Sequence, residues 1–314
     1  MTPMFSPEKP RPQPRGETPW ATGRFQPGRG PRQLLFGQMY EDCERIEERY
    51  LPRGGRVFCI ASAGSTAIQL AAGHRVTAVD INPVQLEYAR RRADGEPPER
   101  GAAERLLALG RRAFPLIGWT RANLGAFLRL ADPAEQLRYW RERLDTTLFR
   151  AGLELLFSPV LLRRAYVPQL LAILPEDFAE VMHGRLERCW ATHPNRANPY
   201  ARALLIGELS IAWDVRRALD VEFAAADAAG YLENCIPGTF DGFTFSNILD
   251  GASPAYRRRL FAAVRRAAAP EAVAILRSFA EPTGREFRNA AAEDRSPLWG
   301  VVDVRPVHTL EDEA

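Results

Sequence analysis

The hydrophobic positions of the first hundred residues form two short apolar runs, at residues 56–61 and 76–79, and each is followed by a helical pattern. Small residues separate the first run from its helix, and Gly73 ends that helix. Asn82 and Pro83 begin the second helix. Two strand–helix units in succession predict parallel strands joined by right-handed crossovers.

The alternation then stops, and residues 97–219 have a mostly helical pattern. We interpret this stretch as a helical insertion that lies over the carboxyl edge of the sheet and recognises an acceptor, because such insertions are common there. Pro159 is expected to break or restart the third helix of the insertion. The predicted helices are 102–109, 133–149, 153–162, 176–190 and 199–218.

Strand patterns return at 221–223, 240–246 and 272–277, a helix is predicted over 254–268, and residues 298–307 could add one or two strands. With the insertion between them, residues 32–96 and 220–314 are the two halves of one α/β domain. The predicted fold is therefore a Rossmann-like, mostly parallel sheet with a large helical insertion.

The N-terminal region divides into two parts. Residues 1–31 hold eight of the 25 prolines and few apolar residues, so we expect a flexible tail. Residues 33–50 are predicted to be helical, since Leu35, Met39 and Ile46 fall near one face.

Composition narrows the class of protein. A hydrophobic content of 46% and a charged content of 26% are typical of a chain with a packed core. There is no run of about 18 apolar residues that would predict a membrane-spanning helix. The N-terminus lacks the apolar segment of a secretory signal, so we expect a cytoplasmic protein.

The charged residues do not indicate a nucleic-acid partner, and the cysteines and histidines do not indicate a metal site. The net charge is only +3, Lys9 is the only lysine among 42 basic residues, and the arginines alternate with acids. Such arginine usage is typical of a GC-rich genome. The four cysteines form no CxxC pair and lie at no ligand spacing to the four histidines, so we expect no metal site and no disulfide framework.

The turn after the first strand contains Ala61, Ser62 and Gly64, and the second strand ends at Asp80, followed by Ile81. Small residues let the backbone approach a ligand, and an acid at that strand end can accept hydrogen bonds from ribose hydroxyls. Because only one glycine of the GxGxxG pattern is present, a phosphate-free nucleoside cofactor such as S-adenosylmethionine is favoured over a dinucleotide. The structural alternatives are a plain tight turn and an acid that caps the next helix.

This order of strand, glycine-poor turn, strand with a terminal acid and later strand with a following acid resembles the class I S-adenosylmethionine-dependent transferases. In that family the first acid holds the ribose and the second helps to hold the adenine. The resemblance implies these roles for Asp80 and Asp227.

A narrower resemblance depends on seven runs: FGQMYED (36–42), IASAG (60–64), AVDINP (78–83), NPY (198–200), FSN (245–247), LRSF (276–279) and DRS (294–296). They are similar to the family of the first enzyme of betaine-lipid synthesis, S-adenosylmethionine:diacylglycerol 3-amino-3-carboxypropyltransferase. The similarity spans roughly residues 33–305. It implies transfer of the aminocarboxypropyl group to a hydroxyl oxygen of diacylglycerol, giving diacylglyceryl-homoserine and methylthioadenosine.

A lipid acceptor further predicts peripheral contact with the inner membrane face, where arginine-rich helices of the insertion could meet anionic lipid. Three alternatives stay open. They are methyl transfer from the same pocket, aminocarboxypropyl transfer to a small-molecule hydroxyl or amine, and a cofactor-binding scaffold or sensor without catalysis.

The segment with Gln38, Tyr40 and Asp42 is predicted to lie over the cofactor, as an N-terminal helix does in related transferases. Tyr40 and Asp42 are catalytic candidates, because a phenol or carboxylate there could orient the donor's ammonium group or remove the acceptor's proton. Gln38 is a cofactor-binding candidate. The structural alternative is an exposed acidic turn on a helix.

Polar residues also follow two later strands, at the edge where reacting groups gather in open sheets. Asn247 is a cofactor-binding candidate, and Asp250 is either a general base or merely an acid at the start of a helix. Arg277 could bind the donor's carboxylate through its planar guanidinium group, or it could form an ion pair with Asp250 or Glu281.

Overall fold

The computed structural model describes residues 18–25, 31–208 and 220–311 of the chain. Its six-stranded sheet has the order β3-β2-β1-β4-β5-β6, in which the first five strands are parallel and β6 is antiparallel to β5. This mostly parallel α/β architecture is compatible with the predicted Rossmann-like fold. The strands are β1 Arg56–Ile60, β2 Arg75–Asp80, β3 Val221–Ala225, β4 Phe240–Thr244, β5 Ala268–Ser278 and β6 Val301–Pro306.

The helices fall into three groups along the chain. The first group, α1 Glu47–Tyr50, α2 Ser65–Leu70 and α3 Pro83–Ala93, belongs to the first half of the domain. A second group interrupts the sheet between β2 and β3: α4 Ala102–Arg111, α5 Arg121–Phe127, α6 Pro133–Tyr139, α7 Thr147–Leu156, α8 Pro159–Ala165, α9 Pro168–Leu171, α10 Phe178–Thr192 and α11 Pro199–Ile206. The last group is α12 Ala228–Glu233 and α13 Pro254–Ala267.

The apolar core lies on both faces of the sheet. Val57 and Cys59 of β1 pack with residues of α2 and α3, whereas Phe58 packs with residues of α12 and α13. Successive side chains of a strand point to opposite faces, so a strand covered on both sides is apolar at every position. A separate apolar cluster around Trp140 and Trp190 forms the core of the helical region.

The prediction of a helix over residues 33–50 is wrong, because the only α-helix in this segment is Glu47–Tyr50. The backbone N–H groups of Leu35 and Phe36 donate to the Gln85 side chain at 2.9 and 3.1 Å, rather than to carbonyl oxygens of a helix. The apolar spacing reflects burial of an irregular segment against the domain. Tertiary contacts therefore override the local periodicity.

The helix predicted over residues 133–149 is interrupted. It continues from α6 into a π-helical turn at Trp140–Leu144, and the chain starts again as α7, with Thr146 as the N-cap. The Thr146 side chain accepts a hydrogen bond from the N–H of Phe149 at 3.1 Å, which favours a new helix start. Pro159 begins α8, which confirms the predicted restart.

Three other predictions concern the end of the helical region and the two ends of the chain. The helix predicted over 199–218 ends at α11, where Gly207 adopts a left-handed backbone, and residues 209–219 are not among those described. The segment 298–307 contributes one strand, β6, which agrees with the one or two strands predicted there. Of the predicted N-terminal tail, the structure describes residues 18–25 and 31, and the first range includes a 3-10 turn at Pro19–Thr22.

The helical region contacts loops at the carboxyl edge of the sheet. A Cβ on Gly251, in the loop after β4, would lie 2.6 Å from the carbonyl oxygen of Gln169 in α9. Arg185 of α10 donates to the carbonyl oxygens of Phe279 and Ala280, just beyond β5, at 2.8 and 3.1 Å. Throughout the described ranges, no helix has both the length and the apolar content to cross a bilayer.

Candidate functional site

A pocket opens at the carboxyl ends of β1, β2 and β4. The strand order reverses between β1 and β4, and ligands of open parallel sheets bind at such a reversal because the loops diverge there. The empty space of the pocket, including the part open to solvent, is about 610 Å³.

Five of the residues predicted from the sequence line this pocket: Ser62, Asp80, Ile81, Asp227 and Asn247. The other seven, which lie outside the lining, are Gln38, Tyr40, Asp42, Ala61, Gly64, Asp250 and Arg277. The pocket thus combines the turn after β1, the acid of β2 and the loops after β3 and β4.

Two serines of the lining have unusual backbone angles. Ser62 follows β1 with φ of 44°, and Ser246 follows β4 with φ of 53°, a region that side chains other than glycine rarely adopt. Hydrogen bonds hold both turns: the Ser62 carbonyl accepts from Gln85 Nε2 at 2.8 Å, and the Ser246 carbonyl accepts from the N–H of Arg277 at 2.9 Å. Strained backbone of this kind is typical of ligand sites.

Asp80 is placed to accept hydrogen bonds at the pocket wall. Its Oδ2 accepts from the N–H of Ser62 at 3.0 Å and its Oδ1 from the N–H of Asn82 at 2.8 Å. Burial raises the pKa of this carboxyl group to about 7, although both N–H groups act in the opposite direction. Each oxygen has a further lone pair, so the pair of oxygens can accept from two neighbouring hydroxyls.

An irregular segment before β1 covers one side of the pocket. Leu35 and Phe36 line it, and the Gln85 side chain fixes them by also donating to the Phe36 carbonyl at 2.8 Å. Asn82 Nδ2 donates to the carbonyl of Gln33 at 2.8 Å. The first residues of α3 therefore hold this wall in place.

Asp227 lines the pocket, but its carboxylate is engaged by the protein. It caps α12, accepting from the N–H groups of Ala229 and Gly230 at 3.2 and 2.8 Å, and it lies 3.4 Å from the Arg259 guanidinium group. The structure thus gives this side chain a capping role at the pocket wall.

Asn247 connects the pocket to Asp250. Its Nδ2 donates to Asp250 Oδ2 at 3.1 Å, and that carboxylate also accepts from Ser278 Oγ at 2.6 Å and from the N–H of Phe279 at 3.1 Å. Burial raises the pKa of Asp250, while these donors act to lower it. Asp250 therefore lies behind the lining of the pocket and orients the Asn247 side chain, which is part of that lining.

Arg277 is fully buried and paired with Glu47, at 2.5 and 3.0 Å between guanidinium nitrogens and carboxylate oxygens. A second acid, Asp294, lies 3.6 Å from its Nε. The sequence suggested Asp250 or Glu281 as ion-pair partners, and the structure replaces both. A donor carboxylate would have to compete with this internal pair for the guanidinium group.

The acidic run at residues 40–42 is buried, so its interpretation as an exposed turn is wrong. Asp42 forms a bidentate pair with Arg295, at 2.5 and 2.7 Å. Burial raises the pKa of Tyr40 to about 12, and its ring packs against Tyr200. Gln38 is also buried, with its side chain hydrogen-bonded to Tyr40.

Glu41, which is not among the predicted site residues, contacts the pocket from behind. Its carboxylate accepts from Thr66 Oγ1 at 3.0 Å and, through a short hydrogen bond, from Ser246 Oγ. Burial raises the pKa of Glu41. No local pattern in the sequence marks this contact, because Ser246 is 205 residues away.

The small residues after β1 have different roles. Ala61 is buried and extends the β1–β2 hydrogen bonding through its N–H. Gly64 has a left-handed backbone, and a Cβ there would lie 3.2 Å from the backbone of Ala89 in α3. The glycine therefore permits close packing of the turn against a helix.

The aromatic part of the lining was also missed. Trp20 comes from the N-terminal tail, and Tyr256 comes from the first turn of α13. Neither residue lies in a motif that points to a ligand. Across the described ranges, no cluster of three or more histidine, cysteine or acidic side chains could hold a metal ion.

Comparison with known proteins adds no assignment to this geometry. No protein-family model matches the chain, and the search of curated proteins found no match.

Proposed function

We propose that the protein binds S-adenosylmethionine in this pocket and transfers its 3-amino-3-carboxypropyl group to a hydroxyl acceptor, with diacylglycerol as the expected acceptor. The observation that carries the cofactor assignment is the charge of the lining. It contains the carboxyl groups of Asp80 and Asp227, and none of its described residues is basic. A phosphate-bearing cofactor would lack a cationic side chain there, whereas a sulfonium compound brings its own positive charge.

The remaining lining fits a nucleoside. Asp80 would accept hydrogen bonds from the two ribose hydroxyls, as the strand-end acid does in dinucleotide-binding folds. Ile60, Ile81 and Phe36 provide apolar surface against which a purine can pack. These contacts require neither a phosphate cradle nor a metal.

When bound, S-adenosylmethionine supplies an electrophilic Cγ: the acceptor oxygen bonds to it, the Cγ–S electron pair stays on sulfur, and methylthioadenosine leaves. The hydroxyl proton goes to a base. Asp250 is the candidate from the sequence, but it lies behind the lining, where its carboxylate accepts from Asn247 Nδ2, Ser278 Oγ and the N–H of Phe279, so taking this proton requires Asn247 to move aside. The proposal that the aminocarboxypropyl group is transferred, and not the methyl group, rests on the sequence resemblance described above. Alignment of the acceptor behind the Cγ–S bond must decide between them.

Product analysis tests the proposal. Purified protein incubated with diacylglycerol and S-adenosylmethionine labelled in its aminocarboxypropyl carbons is expected to give methylthioadenosine and a labelled ether lipid, measured by mass spectrometry. S-adenosylhomocysteine with a methylated acceptor would identify a methyltransferase instead. Cofactor binding without either product, over lipid, small-hydroxyl and amine acceptors, would identify a binding protein.

A matched pair of variants tests the pocket in the same assay. In calorimetry above about pH 8, where Asp80 is ionised, Asp80→Asn is expected to weaken S-adenosylmethionine binding by roughly tenfold to hundredfold, because a charged acceptor is lost. Asp94→Asn, at the exposed end of α3, should bind like the wild type. Equal binding by both variants would exclude this pocket as the cofactor site.

A further inference from the structure

Helices α7 and α8 present large apolar side chains to solvent. Leu148 and Leu155, seven residues apart on one face of α7, are 62% and 65% exposed. Leu156 at the end of α7, and Val160 and Leu161 at the start of α8, continue this surface and are 49%, 64% and 37% exposed. We call these five residues the apolar face. Contiguous exposed surface of this kind is typical of an interaction site.

Basic side chains border the apolar face. Arg163 and Arg164 lie in the last turn of α8 and are both exposed. A helix surface with leucines beside arginines is complementary to an anionic lipid surface, since the apolar side chains enter the acyl boundary while the arginines meet phosphates. Glu154 beside Leu155 is the single acid of α7 and α8, against the three arginines Arg150, Arg163 and Arg164, so the surface is net basic.

The end of α8 is joined to the pocket by a row of aromatic rings. Tyr166, the residue after α8, contacts Phe25 with ring centroids 5.7 Å apart, and Phe25 contacts Phe36 at 5.3 Å. Phe36 in turn contacts Trp20 at 6.2 Å, and both of these line the pocket. An apolar strip thus runs from the basic end of the apolar face to the candidate site.

We infer that the apolar face and Arg163 and Arg164 dock the protein on an anionic membrane surface, with the aromatic row directed from that surface to the pocket. The docking depends only on the exposed helices. That the row guides the acyl part of an acceptor rests on the proposed function.

Vesicle flotation tests the docking without cofactor or turnover. The wild type is expected to float with phosphatidylcholine vesicles that contain phosphatidylglycerol, and less with phosphatidylcholine alone. Leu155→Ser with Val160→Ser, and separately Arg163→Gln with Arg164→Gln, should each weaken partitioning by about tenfold or more. Ile236→Ser is the control, because this side chain is 70% exposed but lies before β4, at the opposite edge of the sheet.

All substituted positions are exposed, so thermal melting curves should match the wild type and exclude unfolding as the cause. The inference fails if the wild type does not float with anionic vesicles, or if both double variants float as it does. It also fails if light scattering shows a dimer that the leucine–valine variant dissociates. Because flotation needs no S-adenosylmethionine, a failed transferase assay with normal flotation would overturn the proposed function and not the docking.

Discussion

At the scale of single residues, Asp80 is subject to two opposing effects. Burial disfavours its anion, while the N–H groups of Ser62 and Asn82 stabilise it, and the burial effect is the larger. The carboxyl group therefore keeps its proton to a higher pH than an exposed aspartate. Such a perturbed acid at a pocket wall is typical of functional sites, and it makes folding stability depend on pH.

The sign of that dependence can be predicted. Since the folded-state pKa is raised from 3.8 to about 7, the folded protein holds a proton that the unfolded chain releases between these values. The contribution of protonated Asp80 to folding stability is fully present below pH 3.8 and is lost as the pH rises through about 7. In urea denaturation, the unfolding free energy of the wild type should fall as the pH rises through this window. In Asp80→Asn the slope of this fall should be smaller by about 1 kcal/mol per pH unit.

The exposed Asp94→Asn variant provides the control for this titration, and its stability should run parallel to that of the wild type. Parallel curves for Asp80→Asn and the wild type would show that Asp80 has an ordinary pKa in the folded protein.

At the scale of elements, buried charges attach the segment before β1 to the sheet. Glu47 in α1 accepts from Arg277 of β5 and from Thr244 Oγ1 of β4, at 2.8 Å for the latter. Although burial acts to raise it, Arg277 holds the pKa of Glu47 below its usual value. A buried carboxylate requires such partners, so α1 is fixed at the edge where the pocket opens.

Arg277→Met is expected to lower the unfolding free energy by about 3–5 kcal/mol, because it leaves Glu47 buried without its cation. Chemical denaturation measures the loss. Arg75→Met, which removes an exposed pair 3.6 Å from Asp220, should cost less than about 1 kcal/mol. An equal cost for the two variants would contradict an anchoring role for the buried pair.

At the scale of the whole molecule, one side chain joins the helical region to the end of the sheet. Arg185, which is 2% exposed, donates to the carbonyl oxygens of Leu298 at 2.9 Å and of Phe279 at 2.8 Å, and it pairs with Glu281 at 2.5 Å. These bonds fix the loops after β5 and before β6 against α10. The helical region and these loops therefore share an interface. Without it, the Arg185 guanidinium group would lack acceptors and the loop carbonyl groups would lack donors.

Replacing Arg185 with methionine removes the donor to these half-buried carbonyl groups. The expected result is a loss of about 2 kcal/mol or more and faster amide hydrogen exchange at residues 279–281 and 298–300. Arg138→Met, on the exposed face of α6, is the control and should change neither quantity. A stability loss without faster exchange in those loops would mean that Arg185 does not join the two regions.

The sequence predicted the strands well because each one is a short local run of buried side chains. It predicted Asp80 for the same reason, since a strand end and the helix start after it are both local signals. The helix predicted over 33–50 failed because Gln85 and Glu104 take the backbone N–H groups of that segment. Periodicity alone does not show which partner a backbone group will choose.

The sequence by itself thus determined a mostly parallel α/β sheet, its helical interruption and the acid at the end of β2. Only the tertiary structure decided that Trp20, Phe36 and Tyr256 line the pocket and that Arg277 pairs with Glu47, 230 residues away. The physical reason is range: strand and helix signals act over a few residues, whereas a pocket wall and a buried ion pair form only when distant segments pack together.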